Sequence, residues 1–124
     1  MLNFQNAKFL KLRQVKTTSV EKAIISLLTP TETIVGAYKT VRDFVVFTEK
    51  RIIAVDIQGV TGVKRSFTTL PYSNIQVFSI QTAGIFDLDS ELDLYFNELG
   101  HVIFEFTGGC NITEISRFIS SCID

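Results

Sequence analysis

Residues 42–62 read RDFVVFTEKRIIAVDIQGVTG, and within them FVVFT (44–48) and RIIAVDIQ (51–58) are β-branched and aromatic runs separated only by Glu49 and Lys50. Short apolar runs with a two-residue polar break are the pattern of two strands joined by a tight turn. Arg42-Asp43 interrupts the chain before this pair and Gly59 to Gly62 interrupt it afterwards. Glycine at the second break supplies left-handed turn geometry at no steric cost.

The same texture extends in both directions. Thr33–Val41, Val63–Leu70, Ile75–Thr82, Glu91–Asn97 and His101–Thr107 are further runs of this kind, with Pro71 to Asn74 and Glu98 to Gly100 among the breaks. Alternation is cleanest in Glu91–Asn97. Leu92, Leu94 and Phe96 point one way, while Glu91, Asp93, Tyr95 and Asn97 point the other, as in a half-buried strand. Seven short strands with tight connections imply an antiparallel meander that curls to hide its edges.

Helices are expected at both ends. After the strands, Asn111 followed by Glu114 is an amino-terminal cap. Ile112, Ile115, Phe118, Ile119, Cys122 and Ile123 then form one apolar stripe opposite Thr113, Ser116, Arg117, Ser120 and Ser121. Such a helix plugs the open end of a bent barrel. Before the strands, residues 19–28 read as a helix with Val20, Ala23, Ile24, Leu27 and Leu28 on one face and Thr18 and Glu21 as a capping box. Thr29-Pro30 stops it. Residues 3–13 are expected to be helical too, although Leu2, Phe4, Phe9, Leu10, Leu12 and Val15 scatter around the wheel. The chain thus divides into a helical extension over 1–30 and a mainly β domain over 31–124.

Composition agrees with one globular domain. The 124 residues are 46% hydrophobic and 20% charged, with eleven Phe and no Trp. No apolar run reaches the roughly 20 residues needed to span a bilayer. Lys8, Lys11 and Arg13 interrupt the leading segment where a signal peptide needs an apolar stretch, so a cytoplasmic protein is expected. Cys110 and Cys122 lie at opposite ends of the last helix, about 18 Å apart at helical rise, too far for a disulfide.

The net charge of −1 conceals a division. Residues 1–65 carry eleven Lys and Arg against five acids, or +6, and residues 66–124 carry one Arg against eight acids, or −7. Asymmetry of this kind points to a charged partner or to another copy of the chain. A near-zero total argues against a dedicated nucleic-acid binder, which needs a broad basic surface.

RDFVVFTEKRIIAVDIQGVTG (42–62) and LPYSNIQVFSIQTAGIFDLDSELDLYF (70–96) together resemble the bacterial pleckstrin-homology (PH) domain family, over about residues 33–123. The resemblance implies a PH-like bent barrel of seven antiparallel strands in two near-orthogonal sheets, capped by a carboxy-terminal helix. It also implies a non-enzymatic protein-binding module that forms cyclic homo-oligomers, with helices preceding the barrel.

Individual motifs are weaker. Asp87, Asp89, Glu91, Asp93 and Glu98 have some of the spacing of a calcium loop, but Leu92 stands where its sharp turn requires Gly. An acidic docking face, or a plain solvated one, suits a strand better. Gly59-Val60-Thr61-Gly62-Val63-Lys64 lacks the spacing and the following helix of a phosphate loop. Gly108-Gly109 reads as a sharp approach to the last helix. His101 is the single histidine, without the thiol cluster of a metal site or the surroundings of a hydrolytic triad. No catalytic residue, cofactor or metal ligand is expected. Lys39 and Arg42 occupy the first hairpin, where eukaryotic PH domains gather cations around a phosphorylated head group. The Arg42-Asp43 turn is short for such a pocket, and Asp43 opposes the charge.

The leading expectation is therefore head-to-tail self-assembly, with Asp87, Asp89, Glu91 and Asp93 on one surface and Lys39, Arg42, Lys64 and Arg65 on the other. The apolar face of Thr18–Leu28 is free, on this reading, to pack on a neighbour. A second protein is a further possible partner. The alternative is a membrane-surface adaptor that uses the basic first half, with Lys8, Lys11, Arg13 and Lys16 drawn to anionic lipid.

Overall fold

The structure is a computed structural model that describes residues 6–59, 61 and 64–123. Its elements run β1 (Lys8–Val15), α1 (Thr18–Ile24), β2 (Ile34–Lys39), β3 (Phe44–Thr48), β4 (Arg51–Gln58), β5 (Lys64–Pro71), β6 (Ile75–Gln81), β7 (Ser90–Phe96), β8 (Gly100–Phe106) and α2 (Ile112–Ile123). Single 3-10 turns follow α1 at Ile25–Leu27 and join β5 to β6 at Tyr72–Asn74. The seven expected strands are β2 to β8. The expected start of the fourth at Val63, and Val60 and Gly62 in the turn before it, lie outside the described residues, as do Leu2 and Phe4.

The helix expected over residues 3–13 is corrected: from Lys8 onward this segment is the strand β1. The described residues thus hold eight strands rather than seven, in the order β5-β4-β3-β2-β1-β8-β7-β6. Neighbours are antiparallel except β1 and β8, which are parallel. The cause of this difference is local. Phe9 pairs with Phe104 and Leu12 with Phe106, so three residues on β1 match two on β8. That extra residue is a β-bulge. It sets the two inward side chains three apart, a helical spacing, although the backbone is extended. Lys11 absorbs the irregularity at φ +57°, a left-handed conformation that costs a non-glycine residue about 1 kcal/mol or more.

The bulge lets β1 serve both halves of the sheet. Its first part lies beside β8, with the Ile103 amide donating to Ala7 O at 2.9 Å and the Thr107 amide to Leu12 O at 2.8 Å. Its last three residues, Arg13 to Val15, pair with Lys39, Tyr38 and Ala37 of β2. Inside the curl, Phe9 stacks on Phe104 at 5.4 Å and Tyr38 meets Phe106 edge-on at 4.9 Å. Much of the Phe-rich composition is spent here. The plug helix is as expected: Asn111 Oδ1 accepts the Glu114 amide at 3.2 Å, and Ile112, Ile115 and Ile119 are buried. Phe118 meets Tyr72 edge-on at 5.9 Å.

All five residues of β3 are buried because both faces of the first half-sheet are covered. Val45 and Phe47 face the interior, while Phe44 and Val46 join Ala37, Ile53, Val55, Val20 and Ile24 in a second cluster. The apolar face of α1 therefore packs on its own sheet and is not left for a neighbour. The expected capping box is also absent: Thr17 precedes the helix without a side-chain cap, and Ser19 Oγ donates instead to Lys16 O at 2.6 Å. Leu27 turns outward, because the helix tightens to a 3-10 turn at Ile25.

A buried ion pair fixes the return from α1 to the sheet. The Glu32 side chain is wholly buried and meets Arg51 Nε at 2.9 Å. Thr48 Oγ1 donates to the same carboxylate at 2.6 Å, and Arg51 also donates to Leu27 O at 2.7 Å. Burial pushes the Glu32 carboxyl upward, but hydrogen bonds from Arg51, Thr48 and the Thr29 amide outweigh it and hold it at about 2, against an ordinary 4.5. The folded group stays ionised where the unfolded one takes a proton. Its contribution is complete above about pH 4.5 and is lost as pH falls toward 2. Glu32→Gln is expected to cost on the order of 3 kcal/mol at neutral pH, because it leaves Arg51 without its counter-charge. Urea melts from pH 7 to 3 check this, since the variant loses less stability over that range than the parent. Leu12→Ala, at a fully buried position of β1, is expected to cost about 2–5 kcal/mol. A near-neutral result in the same melts would mean that β1 is not part of the core.

Candidate interaction surfaces

The four carboxylates singled out from the sequence fall on one connected surface. Asp87 and Asp89 belong to the loop between β6 and β7, and Glu91 and Asp93 are on β7. The alternation read in Glu91–Asn97 is reproduced, with Leu92, Leu94 and Phe96 buried. A chain extended in this way cannot wrap a calcium ion, and no group of three metal-capable side chains is found among the described residues.

Register adds an acid that the linear reading missed. Glu91 stands directly opposite Glu105 on β8, a like-charge pairing that repels. Lys11 relieves it. Its Nζ lies 2.5 Å from Asp89 Oδ2, and its backbone N–H donates to Glu105 Oε1 at 3.2 Å. The Asp89 hydrogen bond and charge, with help from Glu105 and Asp87, hold the Lys11 ammonium above its ordinary range. The residue at the bulge is thus also the cation set among the carboxylates. Farther along, His101 Nδ1 is 2.7 Å from Asp93 Oδ1, and its ring meets Tyr95 edge-on at 5.1 Å. Glu91 has no ion pair among the described residues.

The four cations also gather, at the turns of the first half-sheet. Lys39 ends β2, Arg42 lies in the β2–β3 turn, and Lys64 and Arg65 begin β5 opposite Gln58 and Ile57. Arg42 Nη2 donates to Gly59 O at 2.6 Å, which ties the β2–β3 turn to the end of β4. Asp43 is fixed in the same place, its carboxylate accepting the Ile57 amide at 2.9 Å. The buried Asp56 accepts from Gln58 Nε2 at 2.6 Å. The basic end therefore contains two acids with structural tasks. Lys50 in the β3–β4 turn and Arg51 at the start of β4 lie away from this cluster and are occupied by Thr29 and Glu32.

Two features had no sequence signal strong enough to single them out. One is a groove of about 540 Å3 between β2 and α2, walled by Val35, Tyr38, Phe47, Ile115 and Phe118, with Arg117 on its lining. Burial pushes the Tyr38 hydroxyl up to about 12, so it stays a neutral donor. Cys110 is likewise pushed up by burial, the opposite of an activated thiol. The other feature is the tip of the β6–β7 loop, where Ile85, Phe86 and Leu88 are exposed. Apolar residues inside a loop, outside any strand or helix period, are the one hint the sequence offers.

Comparison with known proteins places this geometry. A family model described as Bacterial PH domain matches residues 3–123. The chain is 40% identical over 109 residues to the uncharacterized protein YjqA of Bacillus subtilis (strain 168), covering 86% of this chain and 87% of that one. It resembles the crystal structure of a DUF1696 family protein with a pleckstrin-homology domain from Shewanella loihica PV-4, with TM-score 0.80 and 32% identity over 93% of this chain and 99% of that one. A pleckstrin homology domain from Shewanella amazonensis SB2B aligns with TM-score 0.66 and 36% identity, covering 89% and 90% of the two chains.

Lys11→Asn is the informative change at the acidic surface, because Asn tolerates left-handed geometry and preserves the bulge while removing the charge. Its melting temperature is expected to fall below the parent's at low salt, and the gap to narrow as salt rises and screens the carboxylates. A gap independent of salt would mean that Lys11 acts through backbone geometry alone.

Proposed function

This chain belongs to the bacterial PH domain family, and from that premise we propose that it is a non-enzymatic module that assembles head-to-tail with copies of itself, closing into a ring, and acts through protein–protein contacts. The observation that carries the reading is the separation of charge. Asp87, Asp89, Glu91 and Asp93 lie together on the β6–β7 loop and the outward side of β7, while Lys39, Arg42, Lys64 and Arg65 lie together at the β2–β3 and β4–β5 turns. A ring needs a heterologous contact in which two different patches of one chain meet. Opposite charge on those patches steers the encounter and sets the register. Glu91, Lys39, Lys64 and Arg65 form no ion pair among the described residues and are free to cross such a contact.

A second reading is favoured by the basic end itself, which would attract an anionic lipid surface. Asp43 and Asp56 in that end, and the engagement of Arg42 with Gly59, count against it. Light scattering at micromolar concentration and physiological salt separates the two. Self-assembly gives a mass that is a multiple of 13.9 kDa, and the double reversal Lys64→Glu with Arg65→Glu lowers it. A strictly monomeric chain that sediments with anionic vesicles would favour the membrane reading instead.

A further inference from the structure

The β6–β7 loop ends in a tip that the fold does not use. The Gly84 amide donates to Asp87 O at 2.7 Å, and the Asp89 amide donates to Asp87 Oδ1 at 3.0 Å. Ile85 and Phe86 are thereby held at the apex of a closed turn. Turn apices ordinarily take Gly, Asn or Asp, whose backbones suit the bend and whose side chains suit water. Here Phe86 is 100% exposed, Ile85 88% and Leu88 64%. Large apolar groups left mostly in water add little stability to the chain that carries them, and a contiguous set of them marks a contact site.

The β2–α2 groove has the complementary form. At about 540 Å3 it falls within the roughly 300–1,000 Å3 typical of concave sites that enclose apolar groups. Its walls are mainly apolar, and Val35 on β2 is 50% exposed although it lies within a strand.

We infer that the Ile85-Phe86 tip of one copy seats in the β2–α2 groove of the next. This rests on the self-assembly reading above and names the contact that anchors it. Three observations select a second copy as the occupant. Tip and groove are different surfaces of one chain, which is the arrangement a head-to-tail contact requires. The acids beside the tip meet a cation beside the groove: Lys11 already engages Asp89, which leaves Asp87 for Arg117. Glu114, one helical turn from Arg117 on α2, lines the same groove and repels an acid, so Asp87 is favoured at the Arg117 end. Finally, β2 runs from the groove wall at Val35 and Tyr38 directly to Lys39, so the tip contact is continuous with the basic end. An aromatic anchor in an apolar pocket, ringed by polar groups, is also the arrangement that dominates binding energy at protein contacts.

Two single changes and their mixture test the inference by light scattering and sedimentation, with circular dichroism confirming the fold of each. Phe86→Asp alters a side chain that packs against nothing, and Ser121→Trp places a ring at an exposed α2 position lining the groove. Each alone is expected to weaken assembly by roughly 30-fold or more. Mixed in equal amounts, they are expected to form a one-to-one dimer that grows no further, because each variant retains the half that the other lacks. If either variant keeps the parent's mass, or the mixture stays monomeric, the tip–groove contact is wrong while self-assembly stands. If the unaltered chain is itself monomeric at micromolar concentration, the self-assembly reading falls together with it.

Discussion

The hydrogen-bonding groups of β1 are divided between two neighbours, and the rest of the fold is arranged around that division. Up to Leu12 the strand lies parallel to β8, and from Arg13 to Val15 it lies antiparallel to β2. Without it, β2 and β8 would each present an unsatisfied edge in the middle of the sheet, with Phe104, Phe106 and Tyr38 opened to water. One strand can serve two partners in this way because a bulge at Lys11 changes its direction midway. The strain at that residue is tolerated because Glu105 holds its amide and Asp89 its ammonium. After Val15 the chain crosses the outer side of the first half-sheet as α1, and the Glu32–Arg51 pair fastens its return.

That arrangement also organises the charge. A chain close to neutral in total presents carboxylates along β7, β8 and the preceding loop, and cations at the turns of the other half-sheet. Several of these groups have work inside the molecule: Lys11 offsets the cross-strand acids, Arg42 ties two turns, and Asp43 caps the end of β4. What remains toward solvent is thinner than a count of charges suggests, but it is still separated by sign. In the proposed assembly, the apolar tip and the apolar groove would supply the non-directional attraction that such charges then orient.

Much of this was legible in the sequence, for identifiable reasons. The strands from residue 33 onward announce themselves because their side chains alternate or are uniformly β-branched, and α2 because one stripe and one cap coincide at Asn111. β1 was hidden because the bulge spaces Phe9 and Leu12 as a helix would. The role of α1 was hidden because Phe44, Val46, Ile53 and Val55 look like an ordinary buried strand pair until both faces are seen to be covered. On the surface, the acids of β7 were readable from alternation, whereas Glu105 joins them only through register. The groove draws its walls from three strands and α2 and has no linear signature.

Amide hydrogen exchange resolved to single residues tests the place of β1 most directly. If β1 holds the two half-sheets together, its hydrogen-bonded amides exchange only through global unfolding, with the same opening free energy as those of β3 and β8. Amides of Lys8 to Val15 that exchange orders of magnitude faster than those of β3 and β8, with the rest of the sheet still protected, would contradict that role and make β1 an appendage to a barrel that stands without it.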